Sequence, residues 1–247
     1  MNEDIESINR MRAITISREY GSGGGEIASR LAKRLGWQLI DHEIIELVAS
    51  EMGTSTQEAE ARDERTEGIL ARALNSLQLL EPAYMAGIRP EALLSNEKTY
   101  LETVSRIIRV AATKGHVVIV GRGSQVLLAR QRDVLHVRII APLEQRIAYV
   151  MQREGLDQAT AQARIQMKEH DRMRHLETAY HRKPADAHLY DIVLNTSFLD
   201  LDSAVEIISL TLQQKAKQLS VKTGDLGPAV GLSRYPDQPE DFRPTVE

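Results

Sequence analysis

The stretch that most constrains the fold of this chain lies near its amino terminus, where a short apolar run leads into a cluster of glycines. Residues 13–17, Ala-Ile-Thr-Ile-Ser, are mostly β-branched, which is typical of a buried strand. Four glycines then lie within residues 21–25, and apolar side chains follow at helical spacing up to Leu35. The pattern predicts a strand, a glycine turn and a helix.

A loop of this kind is suited to bind an anion. Glycine lets the backbone take a positive φ and approach a ligand closely, and the amino end of the next helix offers free N–H groups and a positive dipole. The alternative is a turn that only joins the strand to the helix. We predict that the loop binds phosphate groups through Gly21, Ser22, Gly23, Gly24, Gly25 and Glu26.

Two known motifs match the loop in part. The P-loop, G-x-x-x-x-G-K-[ST], uses a lysine to reach the outer phosphates and a hydroxyl to hold magnesium, but Gly24 and Glu26 stand at those places. The dinucleotide motif of dehydrogenases is G-x-G-x-x-G followed by an acidic residue about 20 positions later. Gly21 and Gly23 match it, Glu26 replaces the third glycine, and Asp41 follows as the acidic residue. The loop alone leaves the choice open.

Composition excludes several classes of protein. The 247 residues include no cysteine, which excludes a disulfide framework and a thiolate metal site. No apolar run approaches the ~20 residues of a membrane span, so we expect a cytoplasmic protein. A net charge of −4 argues against general nucleic-acid binding. The seven histidines show no metal-ligand spacing supported by carboxylates, so no metal site is predicted.

The rest of the chain predicts a parallel α/β protein with additions. Apolar strands separated by helical segments indicate a parallel sheet covered on both faces. Residues 53–114 contain no recognisable strand and are predicted to be a helical insertion. Residues 220–247 are rich in glycine, proline and charged residues and are predicted to be a disordered tail. The strands predicted after the first are residues 37–40, 116–120, 134–140 and 190–196.

The ends of these strands favour a phosphate site over a dinucleotide site. Ligands of open parallel sheets bind beyond the carboxyl ends of the strands, where Arg18, Asp41 and Arg122 are placed. Arg172 and Arg174 lie on a polar segment between strands, where a mobile cover would bring them to the loop. Phosphoryl transfer depends mainly on positioning and on cations that neutralise the moving group, whereas hydride transfer does not need so many cations.

Taken together, these segments resemble the cytidylate kinase-like proteins, a divergent branch of the P-loop nucleoside monophosphate kinases. They occur in the order typical of that family and span residues 12–212. The matching pieces are residues 14–28, 39–41, 118–123 and 141–146, Asp171 with Arg174, and residues 190–197.

The resemblance implies a three-layer P-loop kinase fold with a five-stranded parallel sheet. Its core would comprise residues 12–52 and 115–219, with a monophosphate-binding domain in the insertion 53–114 and a lid at residues 155–188. Nucleotides would be the substrates, without nucleic acid or membrane, and association into a homodimer stays open.

The resemblance also implies ATP and Mg²⁺ as cofactors and transfer of the γ-phosphoryl group to a CMP-like acceptor. Asp41, Arg122 and Asp171 would then bind the acceptor, and Arg172 with Arg174 would close over the transferred group. The second hypothesis is a nucleotide-binding sensor without turnover, because the lysine of the loop is missing.

Three departures from the well-established cytidylate kinases bear on function. Gly24 replaces the lysine, Gly123 replaces an aspartate, and no arginine lies between Asp41 and Arg62. We predict that Arg18 replaces the lysine, because it lies three residues before the loop and its guanidinium can bind two phosphate oxygens. The alternatives are that Arg18 only pairs with Glu19 or Glu26, or that Arg172 and Arg174 supply the charge.

Overall fold

Five parallel strands form the sheet, as the sequence predicts. The computed structural model describes residues 7–41 and 97–227. The strand order is β2-β3-β1-β4-β5, and every neighbouring pair is parallel, which confirms the predicted parallel sheet. The strands are β1 (Ala13–Arg18), β2 (Gln38–Ile40), β3 (Val117–Val120), β4 (Val134–Ile140) and β5 (Ile192–Asn195).

Helices connect the strands and cover both faces of the sheet. Within the described ranges, none of them is long and apolar enough to cross a membrane. The α-helices of those ranges are α1 (Gly24–Leu35), α2 (Glu97–Lys114), α3 (Ser124–Leu127), α4 (Leu143–Glu154), α5 (Gln158–Tyr180) and α6 (Leu201–Lys217).

The two faces of the sheet carry separate cores because successive strand residues point to opposite sides. Ile16 of β1 belongs to a buried cluster with Leu31 of α1 and Ile208 of α6. Ala13 of β1 belongs to a second cluster with Ile108 of α2. We call these sides the α1 face and the α2 face. A residue's place in the alternation therefore decides which helices it meets.

Polar pairs interrupt the α2 face between the two central strands. Thr15 lies opposite His136, and Ser17 lies opposite Arg138, in the register of β1 and β4. All four side chains are buried. Thr15 Oγ1 is 2.8 Å from His136 Nδ1, and Arg138 Nη1 donates a hydrogen bond to Ser17 Oγ at 3.1 Å. Because burying polar groups costs free energy unless they are hydrogen-bonded, these pairs hold groups that an apolar core would exclude.

The polar segment between β4 and β5 is one long helix. Asp157 caps the amino end of α5, where its side chain accepts a hydrogen bond from the N–H of Thr160 at 2.9 Å. The helix ends at His181, which takes the left-handed conformation with φ 52°. Only Ala161, Ile165 and Leu176 of its 23 residues are buried. Helix α5 therefore lies across the molecule without being part of the main cores.

Three predicted segments lie partly outside the described residues. Residues 42–52 of the predicted core, 53–96 of the predicted insertion and 228–247 of the predicted tail are outside them. The described start of the tail is held by Arg132, whose Nη2 donates hydrogen bonds to the carbonyl oxygens of Gln218 at 2.7 Å and Val221 at 2.9 Å. The chain thus keeps specific contacts just beyond α6.

The buried His136 predicts a pH dependence of stability. Burial lowers the pKa of His136 to about 4, while Asp191 raises it and Lys215 lowers it. An unfolded histidine has a pKa of about 6.5, so the unfolded chain binds more protons between these two values, and stability falls as the pH falls through that window. We expect this group to contribute a loss of about 3 kcal/mol, measured as the free energy of unfolding in urea.

The variant His136→Asn should lack this part of the pH dependence. His188→Asn is the matched control, because the side chain of His188 is 97% exposed. Equal pH dependence in wild type and His136→Asn would show that His136 is not the group responsible.

Candidate active site

The glycine loop leaves the amino terminus of α1 open to a ligand. Helix α1 begins after Gly23, which is left-handed with φ 78°, and no described side chain caps its first turn. The first N–H groups of a helix have no partner within the helix, so they are available to an anion. Glu26 lies in this turn, but Arg30 Nε donates a hydrogen bond to its carboxylate at 3.1 Å. A phosphate group therefore fits the loop.

Close packing behind the loop requires its glycines. A Cβ at Gly21 would lie 2.8 Å from the carbonyl oxygen of Arg146, and a Cβ at Gly23 would lie 2.8 Å from Leu201. At both distances the neighbouring atoms would have to shift, which at Gly21 means backbone, and both glycines have positive φ. Ser22 between them is buried. The loop is thus held against α4 and α6 before any ligand binds.

Arg146 supports the same loop from α4. Its Nε donates a hydrogen bond to the carbonyl oxygen of Ala141 at 3.0 Å, and its Nη1 donates one to the carbonyl oxygen of Tyr20 at 3.2 Å. Nε also lies 3.6 Å from the carboxylate of Glu19. These contacts give Arg146 a structural role in the loop.

Arg18 occupies the space that two glycines leave beside the loop. A Cβ at Gly24 would lie 2.6 Å from Cβ of Arg18, and a Cβ at Gly121 would lie 2.3 Å from its Nη1. The side chain therefore runs from the first turn of α1 to the end of β3. Gly24 stands where the P-loop has its lysine, so the arginine fills the volume next to that position.

Arg18 is a charged group in a partly desolvated place. Burial and the positive charge of Arg172 lower the pKa of Arg18 to about 9, while Asp41 raises it, Arg122 lowers it and Glu169 raises it. The guanidinium remains protonated at neutral pH. Charged side chains from the ends of β2 and β3 and from α5 therefore act on Arg18 at the end of β1.

The acids next to Arg18 in sequence have other partners. The carboxylate of Glu19 accepts a hydrogen bond from the N–H of Ala141 at 3.1 Å, and that of Glu26 binds Arg30. The structure therefore does not show the alternative in which Arg18 pairs with Glu19 or Glu26 and only braces the turn.

Helix α5 contacts the loop through one acid and one base. Glu169 Oε1 accepts a hydrogen bond from the N–H of Tyr20 at 2.5 Å. Arg172 Nη1 donates to the carbonyl oxygen of Arg18 at 3.2 Å, and its guanidinium lies 5.3 Å from the centre of the Tyr20 ring. Residues 155–188, the predicted lid, thus contact the residues that lead into the predicted phosphate loop.

Arg122 is held in an unusual backbone conformation at the end of β3. Its φ is 54°, and its neighbours Gly121 and Gly123 also have positive φ. A left-handed residue other than glycine costs about 1–2 kcal/mol. The ring of Tyr180 packs where a Cβ of Gly123 would be, at 2.3 Å, and its hydroxyl donates to the carbonyl oxygen of Arg122 at 3.4 Å. Burial lowers the pKa of Arg122.

Asp171 and Arg174 lie apart from this group. Their side chains are 54% and 71% exposed and 4.0 Å apart. Both line a separate cavity of about 430 Å³ beside Leu101 of α2. The structure thus brings Arg18, Asp41, Arg122 and Arg172 together with the loop, and it places Asp171 and Arg174 on another side of α5.

A cavity of about 510 Å³ lies between the sheet and α5, and its lining includes groups that the sequence analysis did not single out. Gln125 and Arg138 are buried, and Glu169 comes from α5. The sequence does mark Arg138 as unusual, because a charged residue in the middle of an apolar strand is rarely buried unless it is paired or hydrogen-bonded. No such signal marks Gln125 or Glu169. Arginines 18, 122, 138 and 172 all line this cavity.

Two curated proteins and one solved structure are similar to this chain over much of its length. A "Cytidylate kinase" of Methanopyrus kandleri is 32% identical over 117 residues, which are 44% of this chain and 61% of that protein. A "Cytidylate kinase" of Ignicoccus hospitalis is 27% identical over 203 residues, covering 82% of this chain and 99% of that protein. The solved structure of an uncharacterized protein from Eubacterium ventriosum has a TM-score of 0.60 at 22% identity, covering 81% and 98% of the two chains.

The match to the first of these relatives spans only 61% of that relative's length. A match to a family model covers more of this chain. The model of the cytidylate kinase-like family matches residues 13–198, from the first residue of β1 to the turn after β5. That span contains the loop, Arg18, Arg122 and α5, and it confirms the resemblance seen in the sequence. The chain belongs to the cytidylate kinase-like family.

Proposed function

We propose that this protein transfers the γ-phosphoryl group of ATP, with Mg²⁺, to a CMP-like nucleoside monophosphate. The observation that carries the proposal is the position of Arg18 between Gly24 and Gly121, beside the open amino terminus of α1. It supplies a cation next to the place from which the P-loop lysine is missing. The names of the two cytidylate kinase relatives support the choice of acceptor.

The residues present fit the phosphates of ATP. The loop offers backbone N–H groups at a helix terminus, and a Cβ added at Gly21, Gly23 or Gly24 would lie within 2.8 Å of a neighbouring atom. Residues Gly21 to Glu26 would hold the donor phosphates. Arg18 would bind the γ-phosphate, whose charge increases toward the transition state.

Mg²⁺ fits as an ion that enters with the nucleotide. Within residues 7–41 and 97–227, no group of three acidic or histidine side chains could hold a metal by itself. Magnesium in phosphoryl-transfer sites is bound by one or two carboxylates together with substrate phosphates. Asp41, whose charge acts on Arg18, is the carboxylate at hand for such a contact. Bound Mg²⁺ would neutralise phosphate charge.

The acceptor would lie in the cavity under α5. One oxygen of its phosphate forms a bond to the γ-phosphorus, and the bond from that phosphorus to the bridging oxygen of ATP breaks, which yields ADP and a nucleoside diphosphate. Arg122, which lines the cavity, would hold the acceptor phosphate, and Arg172 would neutralise the group in transit. Asp171 and Arg174 keep their predicted roles only if α5 turns, because they face a different cavity.

A coupled assay with the common nucleoside monophosphates tests the reaction. We expect ATP-dependent phosphorylation of CMP, dCMP or a close analogue. Calorimetry on the same preparation distinguishes a kinase from a sensor, because a sensor binds one nucleotide tightly and does not consume it. Folded protein that phosphorylates no monophosphate with any nucleoside triphosphate would contradict the proposal.

Removal of the Arg18 guanidinium should slow catalysis more than it destabilises the protein. We expect Arg18→Ala to lower kcat by at least about a hundredfold, because one lost cationic contact to the moving phosphoryl group has that scale of effect. The melting temperature should change little. Arg174→Ala should lower kcat less, since that side chain lies on another side of α5.

An exchange of side chains tests the spatial argument. Gly24→Lys alone should be poorly tolerated, because its Cβ would lie 2.6 Å from Cβ of Arg18. The double variant Arg18→Gly with Gly24→Lys removes that clash and should recover part of the activity that Arg18→Ala loses. If the double variant is as inactive as Arg18→Ala while folded, the two positions do not replace one another.

Gly121→Ala should displace the guanidinium without removing it. A Cβ there would lie 2.3 Å from Nη1 of Arg18, and φ is +82°. We expect weaker binding of ATP, measured by calorimetry. Gly155→Ala is the matched control, since φ is +68° there and no atom lies within 4 Å of the added Cβ. If the two variants bind ATP equally well, the contact of Gly121 with Arg18 is unimportant.

A further inference from the structure

Arg138 is a buried cation that the proposed chemistry has not yet used. It lies in the middle of β4 and is 8% exposed, yet it lines the cavity under α5. Its nearest acid is Glu19, whose Oε1 is 3.9 Å from its Nη2. Glu19 also accepts a hydrogen bond from the N–H of Ala141. A carboxylate at this distance, shared with another donor, offsets the charge of Arg138 only in part.

The guanidinium is held in one orientation by two hydroxyl-bearing side chains. Nη1 donates to Ser17 Oγ at 3.1 Å, and the hydroxyl of Tyr190 is 3.1 Å from the same oxygen. Tyr190 also donates to the carbonyl oxygen of Pro184 at 2.9 Å, and its ring centre is 5.7 Å from the Arg138 guanidinium. Such a chain of contacts fixes a planar group before a ligand arrives.

Most of the donors of Arg138 remain available. A guanidinium has five N–H donors. Among the described residues, the bond to Ser17 Oγ is the one hydrogen bond that this guanidinium donates. The two acids in the cavity lining, Glu19 and Glu169, have other partners, since Glu19 accepts from the N–H of Ala141 and Glu169 accepts from Arg172. The remaining donors therefore suit an anionic ligand.

The alternation of β4 places Arg138 on the side away from the donor. Val137 and Ile139 pack in the cluster with α1, whose amino terminus forms the phosphate loop. Arg138 lies between them and so belongs to the α2 face. On β1 the same alternation puts Arg18 with Ile16 on the α1 face. The Arg18 side chain thus leaves its strand on the donor side and that of Arg138 on the opposite side, and both reach the cavity under α5.

We propose that Arg138 is a substrate-binding residue that grips the anionic group of the acceptor, oriented for this by Ser17 and Tyr190. The inference rests on the proposed phosphoryl transfer and adds a specific contact to it. The acceptor phosphate would then lie between Arg138 and Arg122, which line the same cavity. A guanidinium can donate two parallel hydrogen bonds to a phosphate, and the terminal oxygens of a monophosphate can accept from both arginines.

The test is a comparison of acceptor and donor constants in purified full-length variants. Arg138→Gln should raise the KM for CMP, or for whichever monophosphate is phosphorylated, by about ten- to a hundredfold, the scale of one lost charged hydrogen bond. The KM for ATP should stay within about twofold, and kcat should fall less than kcat/KM. Calorimetry with the monophosphate alone should show the same loss of affinity without turnover.

Three further variants keep the test sharp. Arg138→Lys keeps the charge but loses the planar fork, and it should recover only part of the affinity. Tyr190→Phe keeps the ring and removes the hydroxyl, so it should raise the acceptor KM by a smaller factor. Arg34→Gln is the control, because that side chain is 52% exposed at the far end of α1. It should leave both constants unchanged.

The outcomes separate this inference from the proposed function. If the wild type phosphorylates a monophosphate and folded Arg138→Gln and Arg138→Lys bind it normally, the role of Arg138 is overturned and the function stands. If both variants weaken ATP and acceptor alike, Arg138 is a structural residue and the inference again fails. If the folded wild type binds no monophosphate, both proposals are overturned together.

Discussion

The site depends on one steric relation, the fit of the Arg18 side chain between Gly24 and Gly121. The arginine needs both glycines, because a Cβ at either would overlap it. Its guanidinium also stays charged in a crowded group of arginines and acids, where burial lowers its pKa to about 9. Geometry and charge therefore constrain the same three positions, and the loop, β3 and α5 are arranged around them.

The alternation of the sheet directs the buried polar side chains of β1 and β4 to one face and the apolar side chains that pack on α1 to the other. Even-numbered residues of β1 face α1, and odd-numbered residues face α2. The buried pairs of Ser17 with Arg138 and Thr15 with His136 follow from that alternation and from the register of β1 with β4. A P-loop kinase needs a donor and an acceptor on either side of a moving phosphoryl group, and a two-sided sheet edge meets that need.

Much of the fold was predictable because local patterns were strong. The β-branched run of β1 and the helical spacing after the glycines gave both elements, and all five predicted strands form. The last strand begins at Ile192 rather than Tyr190, because the N–H of Tyr190 donates to the carbonyl oxygen of Ala187 in a 3₁₀ turn. Such a turn depends on local hydrogen bonds that strand composition does not reveal.

The site was predictable only where a residue's place followed from a strand end. Arg18, Asp41 and Arg122 are predicted in this way, and the structure places them near one another. Arg172 and Arg174 are predicted as a pair because they are close in sequence, but residues two apart on a helix point to nearly opposite sides. The charge of Arg138 within an apolar strand is visible in the sequence, but its contacts with Ser17 and Tyr190 are not, because these residues come from distant parts of the chain.

Helix α5 brings Glu169 and Arg172 to the loop one turn apart, one as a hydrogen-bond acceptor and the other as a donor. A polyanion in the loop repels the carboxylate and attracts the guanidinium, so the electrostatic force on the helix is a couple and not a simple pull. Because Glu169 and Arg172 share one face of α5 and are separated along its axis, the couple would tilt the helix. A tilt moves the two ends of a helix in opposite directions, so under the proposed function the charge of the nucleotide would also act on residues at the far end of α5.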